Sequence, residues 1–169
     1  GHVYVLTHEM RKQKIEGVDL EPPVMDDYVV VLSSNGQELK KVSITDAFAN
    51  SEFSDVLKNL HNWDLWHANN IDVLDEDQTQ AFPFLSKRCV LISMKSVNGI
   101  AAIDLNEQKV IWAVRGPWSG QHDPDFLSNG NLLIFDNKGH FGEGGRSRIV
   151  EFDPLSLQTK WMYTGDQEN

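Results

Sequence analysis

Cysteine is nearly missing from these 169 residues. Cys89 stands alone, so no disulfide can form within the chain and no thiolate zinc cage can be built. Basic residues are also scarce, with 15 Lys and Arg against 25 Asp and Glu and a formal net charge of −10 at pH 7. Such a surface repels phosphate backbones, which argues against nonspecific binding to nucleic acid or to an anionic membrane. A small anionic substrate is not excluded, because one pocket can be positive on an acidic protein. No apolar run approaches the ~20 residues that a membrane-spanning helix needs. No basic leader or signal-type segment heads the chain, which starts at Gly1-His2-Val3-Tyr4-Val5-Leu6. The expectation is a cytoplasmic protein, or one whose targeting segment lies outside this chain.

What is present reads as β-structure around a real core, since 40% of the residues are hydrophobic and 24% charged, both globular values. Residues 2–9 alternate as a strand, with Tyr4, Leu6 and His8 on one face and Val3, Val5 and Thr7 on the other. Residues 10–26 are polar, carry Gly17 and Pro22-Pro23, and read as a long surface loop. A second strand over 28–32 turns at Ser34-Asn35-Gly36 into a third over 38–44. Thr45-Asp46 then caps one inserted helix, near 46–60, with Ala47, Phe48, Phe53, Val56, Leu57 and Leu60 at roughly helical spacing. Beyond it the pattern is β almost throughout, with strands expected over 66–74, 90–95, 100–104, 110–114, 125–126, 132–136, 148–153 and 159–163. Asn129-Gly130 is a strong hairpin signal, both residues tolerating positive φ. Leu132-Leu133-Ile134-Phe135 is apolar on both faces and is expected to be buried on both.

An internal repeat decides the fold class. Ile100 to Asp104 followed by Lys109 to Trp112 resembles Ile149 to Asp153 followed by Thr159 to Trp161, and the two tryptophans and two turn aspartates are each 49 residues apart. His67 and His122 stand 55 apart, each ahead of an equivalent strand. Val29 to Val42 has the same hairpin form without the tryptophan. Four-stranded repeats of roughly 40–50 residues are the mark of β-propeller blades. The expected fold is all-β, a β-propeller in which 1–169 is part of a single domain. It would hold blades at about 64–115 and 119–164 and a partial blade at 1–45, about two and a half in all. Since propellers close with four to eight blades, the chain is expected to be a segment of a longer protein, with an assembly of copies or an open sandwich of sheets as alternatives.

In that frame His67 and His122 head the innermost strands, Asn69 shares the face of His67, and Gln121 and Asp123 point elsewhere. Lys95 follows a strand and could bring positive charge to the same end, although a solvated strand-end lysine reads the same way. Asp72, Asp75, Glu76 and Asp77 lack the glycine and terminal glutamate of a calcium loop and read as a solvated turn. The glycine-rich stretch Gly139 to Gly145 lacks the context of a phosphate loop. A metal site of His67 and His122 with His8 or His140 and an aspartate is the rival chemistry, but no tight His-x-His spacing supports it.

These same segments carry a resemblance. Trp66-His67-Ala68-Asn69-Asn70-Ile71, Leu91-Ile92-Ser93-Met94-Lys95, Ile103-Asp104, Ile111-Trp112, Gln121-His122-Asp123, Leu133-Ile134-Phe135-Asp136-Asn137 and Arg146-Ser147-Arg148-Ile149-Val150-Glu151 follow in the order found in bacterial arylsulfotransferases. The stretch that resembles this family covers roughly 60–155. The resemblance implies a six-bladed propeller, periplasmic or secreted, that needs no cofactor and moves a sulfuryl group from an aryl sulfate donor to a phenol acceptor through a sulfohistidine. It implies that His122 is the nucleophile and that His67 and Asn69 bind sulfate oxygens and assist proton transfer. The family's arginine of a Ser-x-Arg segment falls at Lys95, a point charge where arginine offers a planar fork. A further family histidine, from an earlier blade, is expected ahead of Gly1. A non-catalytic propeller acting as a binding or scaffold module is the alternative reading.

Overall fold

The computed structural model describes residues 1–85, 88–138 and 145–165. Among these residues strand makes up 45% and helix 10%, in three antiparallel sheets with no closed barrel. The first sheet contains β1 (Val3–Arg11), β2 (Val24–Leu32) and β3 (Glu38–Ser43). The second contains β4 (Ala68–Val73), β5 (Cys89–Met94), β6 (Gly99–Asp104) and β7 (Lys109–Arg115). The third contains β8 (His122–Phe126), β9 (Leu132–Asp136), β10 (Arg148–Phe152) and β11 (Thr159–Tyr163). Strands adjacent in sequence pair in space throughout, the topology that short turns permit.

The second sheet lies in the middle. Val90, Ile92, Met94, Ala101 and Ile103 pack into one core with Val29, Val31 and Val42 of the first sheet. The alternate residues Cys89, Leu91, Ile100 and Ala102 pack into a second core with Phe126, Leu132, Ile134 and Phe152 of the third. β5 and β6 are buried along their whole length, as strands covered on both faces must be. Burial pushes the Cys89 thiol up to about 12, which makes it an inert core residue.

The repeat is visible in the backbone. Register shifts fall between Val31 and Leu32, between Ala102 and Ile103, and between Glu151 and Phe152, so β2, β6 and β10 are equivalent strands. Asp104 Oδ1 accepts from the amides of Asn106 and Glu107, and Asp153 Oδ1 accepts from those of Leu155 and Ser156. The left-handed residues Gln108 and Leu157 follow at matching places. A second shift, between Ala68 and Asn70 and between His122 and Asp125, makes β4 equivalent to β8. By the same register β1 corresponds to β5 and β9. Among the described residues the first sheet therefore has no counterpart of β4 and β8.

Several expectations change. The single helix over 46–60 is instead a short α-helix, α1 (Ile44–Ala49), capped by Ser43, and a separate 3-10 helix over Ser54–Asn59. Thr45 does not cap it. Its hydroxyl donates to the buried Asp26 and accepts from the indole N–H of Trp66. The 10–26 loop shrinks, because β1 runs to Arg11 and β2 starts at Val24. It is not purely superficial either, since Ile15 and Val18 enter the first core. Trp66 precedes its strand and is fully buried, stacked on Phe48 with ring centroids 4.5 Å apart. In the Asn129-Gly130 turn only Gly130 has positive φ, while Asn129 holds the loop through its side chain, accepting from the Asn131 amide. β9 is buried on one face only: Leu132 and Ile134 are covered, but Phe135 is 40% exposed, because the third sheet has a neighbour on one side alone. Gly139 to Gly144, with His140, lie outside the described residues.

Candidate active site

His122 opens β8, opposite Phe135 of β9. Its Nδ1 lies 2.9 Å from the Gly120 carbonyl oxygen. A carbonyl can only accept, so the tautomer that bonds this oxygen carries its proton on Nδ1 and leaves the lone pair on Nε2. Asn137 Nδ2 donates to the same carbonyl at 2.8 Å and lies 3.0 Å from Nδ1, while Asn137 Oδ1 accepts from the Ser147 hydroxyl. Asp136 is fully buried beneath this cluster. It accepts from the amides of Ser119 and Lys138 at 2.9 Å each and from Arg148 Nε at 2.7 Å. The Phe135-Asp136-Asn137 and Ser147-Arg148 segments thus serve one end: they hold the turn that aims the His122 ring.

Gln121 is also fully buried. Its Nε2 donates to Ser93 Oγ and to the carbonyls of Met94 and Gly99, which locks the approach to β8 onto the second sheet. Its carbonyl accepts from Asn69 Nδ2 at 3.0 Å and from the Ser93 hydroxyl at 3.1 Å. Asn69 therefore ties the head of β4 to the residue just before His122. The neighbouring Asn70 donates to Asp123 Oδ1. Among the described residues the buried Oδ1 atoms of Asn69 and Asn70 and Oε1 of Gln121 have no hydrogen-bond partner, the kind of group that an ordered water satisfies.

His67 stands just before β4 with φ of 48°, a left-handed conformation uncommon outside glycine, and Asn69 falls in the register shift behind it. Simple alternation along a strand therefore does not relate these two side chains. The His67 carbonyl accepts from the Lys95 amide at 3.3 Å, so the head of β4 and the end of β5 are joined at these two residues. The Lys95 ammonium is exposed and has no hydrogen bond or ion pair among the described residues. His67 Nδ1 lies 2.5 Å from Asp64 Oδ2.

Carboxylates crowd this end and the flank between the second and third sheets. Burial, with Asp64 and Asp26 nearby, raises the Asp27 pKa above the usual carboxylate range, and His8 opposite it on β1 works the other way. Asp27 Oδ2 accepts from the Ala68 amide at 2.9 Å. Asp72 is no solvated turn residue. Its Oδ2 accepts from the Phe126 amide of β8 at 2.9 Å, and burial raises its pKa, as it does that of Asp125. No group of three or more His, Cys, Asp or Glu among the described residues is arranged to hold a metal ion, so a site joining His67, His122 and His8 gains no support; His140 is not among those residues.

Sequence reading gave no role to Asp64, and it named Gln121, Asp136 and Asn137 without one, within the segments that resemble the family. Asp64-x-x-His67 spacing was the local signal for Asp64. The chain matches the family model described as Arylsulfotransferase (ASST) over residues 5–168. No curated protein and no solved structure matches it.

Proposed function

This chain belongs to the arylsulfotransferase family, and from that premise we propose that it carries part of a six-bladed β-propeller that transfers a sulfuryl group from a phenolic sulfate ester to a phenol. In this reading the blades within 1–169 are about 64–115 and 119–164, with a partial blade at 1–45, and a sulfohistidine forms on His122. The observation that carries it is the 2.9 Å approach of His122 Nδ1 to the Gly120 carbonyl: in the tautomer that donates to this oxygen, Nε2 is unprotonated and free to attack.

Nε2 attacks sulfur and forms an N–S bond as the S–O bond to the aryl group breaks. The departing phenoxide takes the Nε2 proton of His67, which enters this step as the imidazolium and leaves it neutral. The acceptor phenol then loses its proton to His67 and its oxygen attacks sulfur, the N–S bond breaks, and Nε2 regains its lone pair. Charge spread over the sulfuryl oxygens needs donors held in place beforehand, a role given to Lys95 and to the second amide hydrogen of Asn69. No cofactor enters the sequence of steps. The family is generally extracellular or periplasmic, and a periplasmic location is proposed for this member. No helix among the described residues is long and apolar enough to cross a membrane.

The test is brief exposure of the protein to an aryl sulfate without acceptor, followed by peptide mass mapping that preserves a labile N–S bond. The peptide containing His122 should gain one sulfuryl group in the wild type and none in His122→Ala. A label on the His67 peptide, or one that persists in His122→Ala, overturns the assignment. Lys95 in the arginine position favours a second reading, a non-catalytic propeller that binds or scaffolds. A folded protein that moves no sulfuryl group from a chromogenic phenyl sulfate to a free phenol would support that reading instead.

A further inference from the structure

We infer that Asp64 is a positioning residue for His67: it fixes the imidazole as the Nδ1–H tautomer and leaves Nε2 as the nitrogen that exchanges a proton with the phenol oxygen. The inference deepens the sulfuryl-transfer reading and rests on it for the identity of the proton's partner.

Asp64 is buried, and both of its carboxylate oxygens are turned to the same residue. Oδ1 accepts from the His67 backbone amide at 3.1 Å, and Oδ2 meets His67 Nδ1 at 2.5 Å. The backbone around it is held from three sides. Met25 of β2 donates to the Trp63 carbonyl and accepts from the Leu65 amide, which brackets Asp64 in a parallel bridge. The Asp64 amide donates to Asn62 Oδ1, and its carbonyl accepts from the Ser96 hydroxyl. The ring it orients is 46% exposed, which leaves Nε2 open to a substrate. A carboxylate placed behind an imidazole in this way sets the tautomer and stabilises the imidazolium that forms when Nε2 takes a proton.

The other charged groups around His67 do not compete for Nδ1. Asp27 of β2 is engaged with the Ala68 amide, and Asp26 with Arg11, Ser43 and Thr45. His8 of β1 faces Asp27. Lys95 meets His67 through its backbone, and Asp123 of β8 is engaged with Asn70. A merely structural cap would need only the Oδ1 contact, since that one holds the left-handed backbone of His67. The second oxygen has no task except the ring.

Asp64→Asn separates the two roles. The His67 amide still demands an oxygen, so the new amide nitrogen faces Nδ1 and donates to it, which forces the proton onto Nε2. Long-range 1H–15N correlation spectra of the whole chain, at alkaline pH where imidazoles are neutral, should show His67 as Nδ1–H in the wild type and Nε2–H in Asp64→Asn. A wild-type His67 in the Nε2–H form overturns the inference whether or not the variant folds, and so does a folded variant with an unchanged tautomer. In transfer assays the variant should lose roughly 10²-fold or more with donors whose phenols are basic, and much less with acidic phenols that leave without proton help. Equal losses for both donor types overturn it as well. A wild type that transfers nothing defeats the sulfotransferase reading and leaves the tautomer result to stand by itself.

Discussion

At the residue scale, the site depends on side chains that are spent entirely on neighbours. Asp136 accepts from two backbone amides and from Arg148 while fully buried. Removing one partner of such a pair strands the other charge, which typically costs about 3–5 kcal/mol. Asp136→Ala should therefore lower unfolding stability by about that amount in urea titrations, and it should loosen the Ser119-Gly120 turn on which His122 leans. A loss under about 1 kcal/mol, the range of exposed ion pairs, would mean that the Arg148 contact is not a buried one in solution. The left-handed His67 belongs to the same scale. Its backbone strain persists because Asp64 and Lys95 both hold it, a pattern that marks functional positions.

Among the elements, β4 and β8 are in contact and are joined by polar bonds that cross from sheet to sheet. Asn69 reaches the Gln121 carbonyl, Asn70 reaches Asp123, and Asp72 takes the Phe126 amide. The last of these carries a pH signature. Burial raises the folded-state pKa of Asp72 above its ordinary value of 3.8; the Phe126 and Val73 amides pull against it, and the nearby Asp75 and Asp123 add to it. The folded chain then keeps a proton that the unfolded chain has already lost, so this group's contribution to stability falls as pH rises from the unfolded value through the folded one. Asp27 and Asp125 act in the same direction. Asp72→Asn keeps an oxygen for Phe126 and removes the titration. Its stability should fall less than that of the wild type between pH 4 and pH 7, measured by denaturant unfolding at a series of pH values. Identical slopes for the two proteins would contradict the shift.

For the molecule as a whole, the two outer sheets are covered on one side each. The open face of the third sheet is apolar along one row, where Phe135, Ile149 and Tyr163 stand beside His122, and mixed in the next, which holds Asp125, Leu133, Glu151 and Trp161. Trp161 and Tyr163 stack with centroids 6.3 Å apart, and both are about as exposed as Phe135. An apolar face of this kind promotes association. In sedimentation velocity the chain 1–169 should self-associate, and Phe135→Thr with Trp161→Thr should return it toward monomer while changing stability by no more than about 0.5 kcal/mol per site, as exposed positions usually do. An unchanged sedimentation profile would show that this face is not what brings copies together.

The β class, the meander connections and the paired Asp104 and Asp153 turns were legible in the chain alone, because period-two alternation and turn chemistry act over a few residues. The same local repeat put His67 and His122 near the heads of β4 and β8, while His67 in fact stands just before its strand and His122 opens its own. Local pattern could not tell which face of β9 would be covered: an apolar run looks identical whether one sheet or two lie against it, and Phe135 is open only because one side has no neighbour. Nor could it find the partners of Asp72, Asn69 and Gln121, whose bonds join residues 54, 52 and 22 to 28 positions apart. Helix spacing over 46–60 survived only as far as Ala49, and the buried Asp26 and Trp66 claim from outside the helix the Thr45 side chain that local pattern made its cap. Short-range chemistry fixes what each segment is able to form, down to the Gly120 and Asp64 contacts on the two histidine rings; the long-range hydrogen bonds and the covering of one sheet by another exist only once the chain has folded, and they hold the backbone on which those local contacts act.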